Sequence, residues 1–133
     1  DKTIPGAARW TLVLNGEAAL DKETGLVWQR NTDDTARDWY AASSHCYGLE
    51  VGGRKGWRLP TIEELATLVD TSQSNPALPS GHPFINARSN YYWSGTTRAS
   101  NPDSAWGVYF DYGYVGTSSK GNNNYVRCVR AGS

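Results

Sequence analysis

The sequence predicts an α+β fold in which two helices pack on a twisted, mostly antiparallel sheet. Three observations predict it. Strand-like runs open the chain, two helical patterns follow, and four short strand patterns with glycine-rich turns fill the stretch from Tyr91 onward. One helix carries a complete start signature. No internal repeat at solenoid spacing competes with this order.

Taken in order, "WTLVLNGEAAL" reads as a strand, an Asn15-Gly16 turn and a second strand, an N-terminal hairpin extension over residues 1–19. "DKETGLVWQR" is a turn and then a strand through Val27 and Trp28. "DDTARDWYAASSHCYGLEVGG" predicts a helix capped by Asp34 or Thr35, with Trp39, Ala42 and Cys46 on one face and Gly48 and Gly52-Gly53 ending it. In "WRLPTIEELATLVD", Thr61 and Glu64 form a capping box, and Ile62, Leu65, Leu68 and Val69 make an apolar stripe. "TSQSNPALPSGHPF" is a structured loop. "YYWSG", "SAWGVYFD", "YGYVG" and "NYVRCVR" are the closing strands, a sheet over residues 91–130. Trp28, Trp39, Trp57, Trp93, Trp106, Leu65 and Leu68 are expected in the core. The whole of residues 1–133 reads as one domain.

Composition narrows the function. Thirteen basic and thirteen acidic side chains cancel, whereas nucleic-acid binders usually show a basic excess. No apolar run approaches the ~20 residues of a membrane span. No signal peptide opens the chain, which reads as a mature fragment or an excised domain. Six Trp and eight Tyr stand against two Phe and no Met. Such rings bring apolar area with a polar handle, as interfaces and rigid small cores use.

Cys46 falls on the first helix and Cys128 in the last strand, where alternation puts it on the same face as Val126. Both point inward. They are either a staple, two buried thiols or, least in keeping with that placement, a reactive thiol. A bridge closing a loop of about 80 residues contributes ~4 kcal/mol in the chain-entropy picture, and it implies an oxidising compartment.

"DKETGLVWQR", "WYAASSHC", "GGRKGWRLPTIEEL", "YYWSGTTRASNPDSAWGVYF" and "YVRCVR" occur in an order that resembles the C-terminal domain family of Legionella collagen-like protein, from about Leu20 to Arg130. The resemblance implies a C-type lectin-like fold, in the group that includes formylglycine-generating enzymes. It also implies a Cys46–Cys128 disulfide, because that fold commonly joins its first helix to its last strand. Two functional precedents come with it. One is a trimeric adhesin domain that binds sulfated glycosaminoglycans. The other is the variable protein of a diversity-generating retroelement, whose C-terminal part is rewritten at adenines.

Adenine-directed change bears hardest on asparagine codons. An Asn codon ending in a pyrimidine can become Tyr, Ser, Asp, Gly or Thr, but never Lys, Glu, Gln, Trp, Met or stop. Strand alternation turns Trp106, Val108 and Phe110 inward and Gly107, Tyr109 and Asp111 outward. Beyond the turn, Tyr112, Tyr114, Gly116, Thr117, Ser118, Ser119, Gly121, Asn122, Asn123 and Asn124 are expected outside, and Val115 in the core. All thirteen outward candidates belong to the reachable group. Lys120 does not, and must be framework. Upstream, Arg98, Ser100, Asn101, Asp103 and Ser104 are compatible. Turns favour Gly, Asn, Ser and Asp in any protein. That does not explain Tyr109, Tyr112, Tyr114 and Tyr125, four aromatic rings close together. Antibody paratopes use the same mixture, with Tyr as stiff contact area and small polar residues as adaptable partners.

Other chemistry finds little support. His45 and His82 lack zinc-ligand spacing and a nucleophile partner. Glu63 and Glu64 are adjacent on a helix and diverge by about 100°. Asp33, Asp34 and Asp38 read as helix N-terminal charge. "SNPDSAW" echoes a calcium-lectin loop only in part. Formylglycine-generating enzymes need reactive cysteines, and a staple would leave none. Arg54, Lys55 and Arg58 surround Trp57, where they could grip sulfate, or where Arg58 simply packs its stem on a ring. The expectation is a non-catalytic recognition domain, extracellular or on a bacterial surface. Its expected ligand is a protein or glycan on another cell, without nucleic acid, membrane insertion, metal or cofactor, and with a homotrimer implied by the adhesin precedent.

Overall fold

A computed structural model of the chain describes residues 9–32, 35–79, 81–85 and 87–131. Asp33 and Asp34, read above as helix-start residues, lie outside them, as do residues 1–8 of the N-terminal hairpin. Among the described residues, seven strands and two helices follow one another: β1 (Trp10–Val13), β2 (Ala18–Asp21), β3 (Leu26–Gln29), α1 (Trp39–Tyr47), α2 (Ile62–Ala66), β4 (Tyr91–Thr97), β5 (Ser104–Tyr109), β6 (Tyr114–Ser119) and β7 (Val129–Ala131).

The strands form two antiparallel sheets, not one. The first runs β1-β2-β3-β7 and the second β4-β5-β6. The closing strand β7 leaves its sequence neighbours and pairs with β3, Val27 opposite Arg130. The hairpin expected as an N-terminal extension is part of this main sheet, with Ala18, Ala19 and Asp21 fully buried.

Both helices start where a side chain can accept orphan N–H groups. Asp38, rather than Thr35, caps α1 by accepting the Ala41 N–H. Thr61 and Glu64 form the expected capping box on α2. That helix is only five residues long, and Leu68 and Val69 follow it in a turn.

Strand β4 is covered on both faces. Tyr92 enters one core cluster with Trp10, Trp28, Leu65, Leu68, Val108 and Phe110. Tyr91 and Trp93 enter the other, with Trp57, Ala42, Val126 and the two cysteines. The disulfide joins Cys46 of α1 to Cys128, just ahead of β7, with Cα atoms 5.5 Å apart and a sequence separation of 82. Closing so long a loop removes about 4.5 kcal/mol of chain entropy from the unfolded state. Trp28, Trp57 and Trp93 lie in the core as expected, and Trp10 joins them. Trp39 and Trp106 are only half-buried: Trp39 opens α1, and Trp106 pairs with Thr117 on the half-open face of the outermost strand.

Arg127 is a second departure from simple alternation. It sits between two inward residues, yet it too is buried. Its guanidinium donates to the carbonyls of Gln29, Arg30 and Ile85 and stacks 4.6 Å from the Phe84 ring. Burial lowers its pKa to about 10, which still leaves it charged.

Candidate functional site

The candidate surface is the β5–β6 hairpin and the loop after it. Tyr109 and Tyr114 close the hairpin as a cross-strand pair. Its turn is anchored from below. The Phe110 ring is buried, and the N–H groups of Ala77 and Asn75 donate to the carbonyls of Phe110 and Asp111. Gly113 takes φ +88°, and a Cβ there would lie 2.7 Å from Val69 Cγ1. The Asp111 carboxylate accepts the Tyr112 N–H at 2.8 Å. These contacts hold the tip still and leave its rings outside.

Tyr109, Tyr112 and Tyr114 are 39, 53 and 65 % exposed. The Tyr112 and Tyr114 ring centroids are 6.1 Å apart, and Tyr109 rests on Tyr91 at 4.6 Å. Tyr91 is the buried support. Its hydroxyl donates to the carbonyls of Ala105 and Gly116, and burial, reinforced by Tyr109, raises the phenol's pKa far above its usual range. Tyr125 does not belong to this group. It is half-buried and packs against Tyr92 in the core.

The loop is pinned by Lys120, which is buried as the codon argument requires of it. Its ammonium lies 4.1 Å over the Trp39 ring and donates to Thr97 Oγ1. Its backbone N–H bonds Asp103 O, and its carbonyl accepts the Trp39 N–H. Gly121, Asn122 and Asn123 are exposed beyond it, and Asn124 is half-buried. Asn122 and Asn124 both donate to Ser118 Oγ, and the backbone of Asn124 pairs with Arg37 in both directions. Through the Lys120–Asp103 bond the upstream loop reaches the same end of the sheet. Ser100, Asn101 and Asp103 are exposed there, while Arg98 and Ser104 are half-buried.

Register sorts these residues between two faces. Tyr109, Tyr114, Gly116 and Ser118 share one face, which the Asn122 and Asn124 side chains join through Ser118. Thr117 and Ser119 share the other face with Val115 and Trp106. Val115, expected in the core, is 50 % exposed, because the outermost strand has no layer against that end of it. Asp111 and Tyr112 sit in the turn.

Gly107 is corrected outright. Expected outside, it is buried under β4, and a Cβ there would stand 2.3 Å from the Tyr92 carbonyl oxygen and 2.5 Å from the Tyr91 ring. Its cross-strand partner Gly116 meets only the edge of the Tyr109 ring, at 3.0 Å. Tyr40 was missed. It is 61 % exposed, stands edge-on to Trp39 and lies 5.9 Å from the Lys120 ammonium. Helical periodicity would turn it outward, but only tertiary structure puts it beside the loop.

On α2's side of the molecule, Arg58 is held by Glu64 in a two-bond ion pair, at 2.6 and 2.9 Å. The shared bonds raise Arg58 and hold the Glu64 carboxyl below its usual range. Tyr47, Lys55, Gly56, Trp57 and Arg58 line a shallow open groove there, and Arg130 bonds the Lys55 carbonyl. No group of three or more His, Cys, Asp or Glu side chains is placed to hold a metal among the described residues.

Fold and site together define a small disulfide-bridged α+β domain with an aromatic, uncharged surface on its outermost strand. The chain belongs to the Lcl C-terminal domain family, which matches residues 17–130. No curated protein matches the sequence. Membership bears out the resemblance drawn from the sequence, and it makes a ligand-binding or adhesin-like role the broad functional class. A buried disulfide of this kind fits an oxidising compartment.

Proposed function

We propose that the chain is a C-type lectin-like recognition domain acting outside the cell, and that Tyr109, Tyr112, Tyr114, Ser118 and residues 121–124 bind a protein or glycan ligand. The surface is diversified by adenine-directed rewriting, while the scaffold below stays fixed. The observation that carries the reading is Lys120. In the segment from Tyr112 to Asn124 it alone is out of reach of a mutated Asn codon, and it alone is buried. Three exposed tyrosines on an anchored hairpin add the stiff amphipathic contact area that paratopes use. The staple between α1 and the start of β7 supports the lectin-like assignment.

The DNA flanking the gene tests the rewriting. The expected finding is a near-copy of the last third of the coding sequence, differing at adenines within codons 109–124 and leaving codons 107 and 120 unchanged. Differences scattered over core codons, or no copy at all, would leave a fixed recognition surface instead.

A second reading has its own observation. Lys55, Arg58 and the exposed Tyr47 line one groove, and the exposed Arg54 adjoins it, a surface suited to a sulfated glycosaminoglycan. In that case binding to heparin weakens steeply with salt and is lost on Lys55→Glu, while changes at Tyr112 and Tyr114 leave it intact.

A further inference from the structure

The second sheet ends in a bare edge. Strand β4's outer side is bonded to the Tyr125 segment, through Trp93 N–H to Tyr125 O and Tyr125 N–H to Tyr91 O. The outer side of β7 is bonded to Arg58 in both directions. Among the described residues, β6 has a partner strand on one side only, β5, over six residues in unbroken register, and only its last carbonyl, that of Ser119, is taken by the following turn.

Which groups are bare follows from alternation. Lys120 N–H bonds Asp103 O, so that pair is a bonded one. Two and four steps back, Ser118 and Gly116 also bond inward to β5, and so does Tyr114. Val115, Thr117 and Ser119 therefore aim their N–H groups away from the sheet, as Val115 and Thr117 do their C=O groups, while the Ser119 carbonyl accepts the Asn122 N–H at 3.0 Å.

Proteins usually blunt such an edge with lysine, proline, a bulge or a covering loop. From Tyr112 to Ser119 the chain has no proline, no lysine and no charged side chain, and the β5–β6 register has no bulge. The charge lies at the two ends. Asp111 is at the start, and Asp70 is in the loop bonded to it. Arg98, Arg37 and Lys120 flank the finish, against the two acids Asp103 and Asp38. An antiparallel second copy sets each acidic end against the partner's basic end, and the neutral strands meet without like charges. Twofold symmetry closes such a pair and leaves neither β6 edge exposed.

The geometry points to β6 as a self-pairing edge: two copies of this chain join through antiparallel β6 strands into a continuous six-stranded sheet. The two tyrosine faces then lie side by side, giving a bivalent surface. This does not rest on the recognition reading, since the edge is bare whatever the face binds. One strand pair is a small interface, below about 1,200 Å², so the dimer dissociates in the micromolar range.

Sedimentation velocity from about 1 µM to about 1 mM tests it. Wild type is expected to pass from monomer to dimer. Thr117→Pro removes an outward N–H and spares the inward ladder, and Val115→Lys puts a charge on the edge. Each is expected to weaken the dimer at least about tenfold. A wild type that stays monomeric throughout overturns the inference, and so does a dimer or trimer that neither variant moves. Amide exchange on the unmodified protein decides the matter if the variants misfold. The Val115, Thr117 and Ser119 amides are expected to slow about tenfold between the dilute and concentrated samples, and unchanged rates contradict the pairing.

Discussion

Gly107 and Gly116 face each other across β5 and β6, yet they live under opposite rules. At Gly107 an added methyl meets a backbone carbonyl at 2.3 Å and the buried Tyr91 ring, neither of which can retreat. At Gly116 it meets the edge of Tyr109, a half-exposed ring that can swing. At Gly121 it meets nothing within 4 Å. Within a few ångströms the molecule passes from a position that admits one residue to positions that admit many. In steric terms the boundary between a constrained scaffold and a permissive surface falls between these two strands.

The largest effect should come from breaking the scaffold at its staple. Cys46→Ala with Cys128→Ala is expected to lower stability by about 4.5 kcal/mol in urea denaturation. A loss under about 1 kcal/mol would mean that the tryptophan core holds the platform alone.

The buried Arg9–Asp21 pair sharpens the scaffold side by pH. Burial pushes the Asp21 carboxyl up, but the hydrogen bond from Arg9, the Glu23 N–H and the Thr24 hydroxyl outweigh it and hold the carboxyl below the usual value. A depressed folded-state pKa means stabilisation that is complete above the unfolded carboxylate range near pH 4 and lost as pH falls below it. The melting temperature of the wild type should fall over that acid window. Asp21→Asn should melt lower at pH 7 and show a shallower acid slope. Parallel curves would remove Asp21 from the account.

The glycine series tests the boundary itself. Gly107→Ala is expected to cost about 3 kcal/mol, Gly116→Ala about 1 kcal/mol or less, and Gly121→Ala within about 0.5 kcal/mol of zero. Thermal melts of the three single variants check the order, and an equal cost at all three would erase the distinction between the strands.

Local chemistry made much of this legible in the sequence. The Thr61–Glu64 capping box and the inward Trp39–Ala42–Cys46 stripe follow from spacing and are seen, and Lys120, set apart by its codon, is buried. What the sequence hid is non-local. Nothing in "YVRCVR" says that its strand leaves the closing hairpin and pairs with β3, about a hundred residues earlier. Alternation assumed one wet face for the last strands. Because β4 is sandwiched between two core clusters, Gly107 is buried from the side that was read as outside. Val115 erred in the other direction, since an aliphatic residue on an outermost strand has nothing to pack against. Tyr125 looked like its exposed neighbours until Tyr92 gave it a partner.

A substitution scan of residues 104–125 on a displayed library, scored only for folded protein, tests the central claim most directly. Tyr112, Tyr114, Ser118, Gly121, Asn122 and Asn123 are predicted to accept nearly every residue, while Gly107, Val108 and Lys120 accept almost none. Equal intolerance across both groups would contradict the division between a fixed platform and a rewritable face.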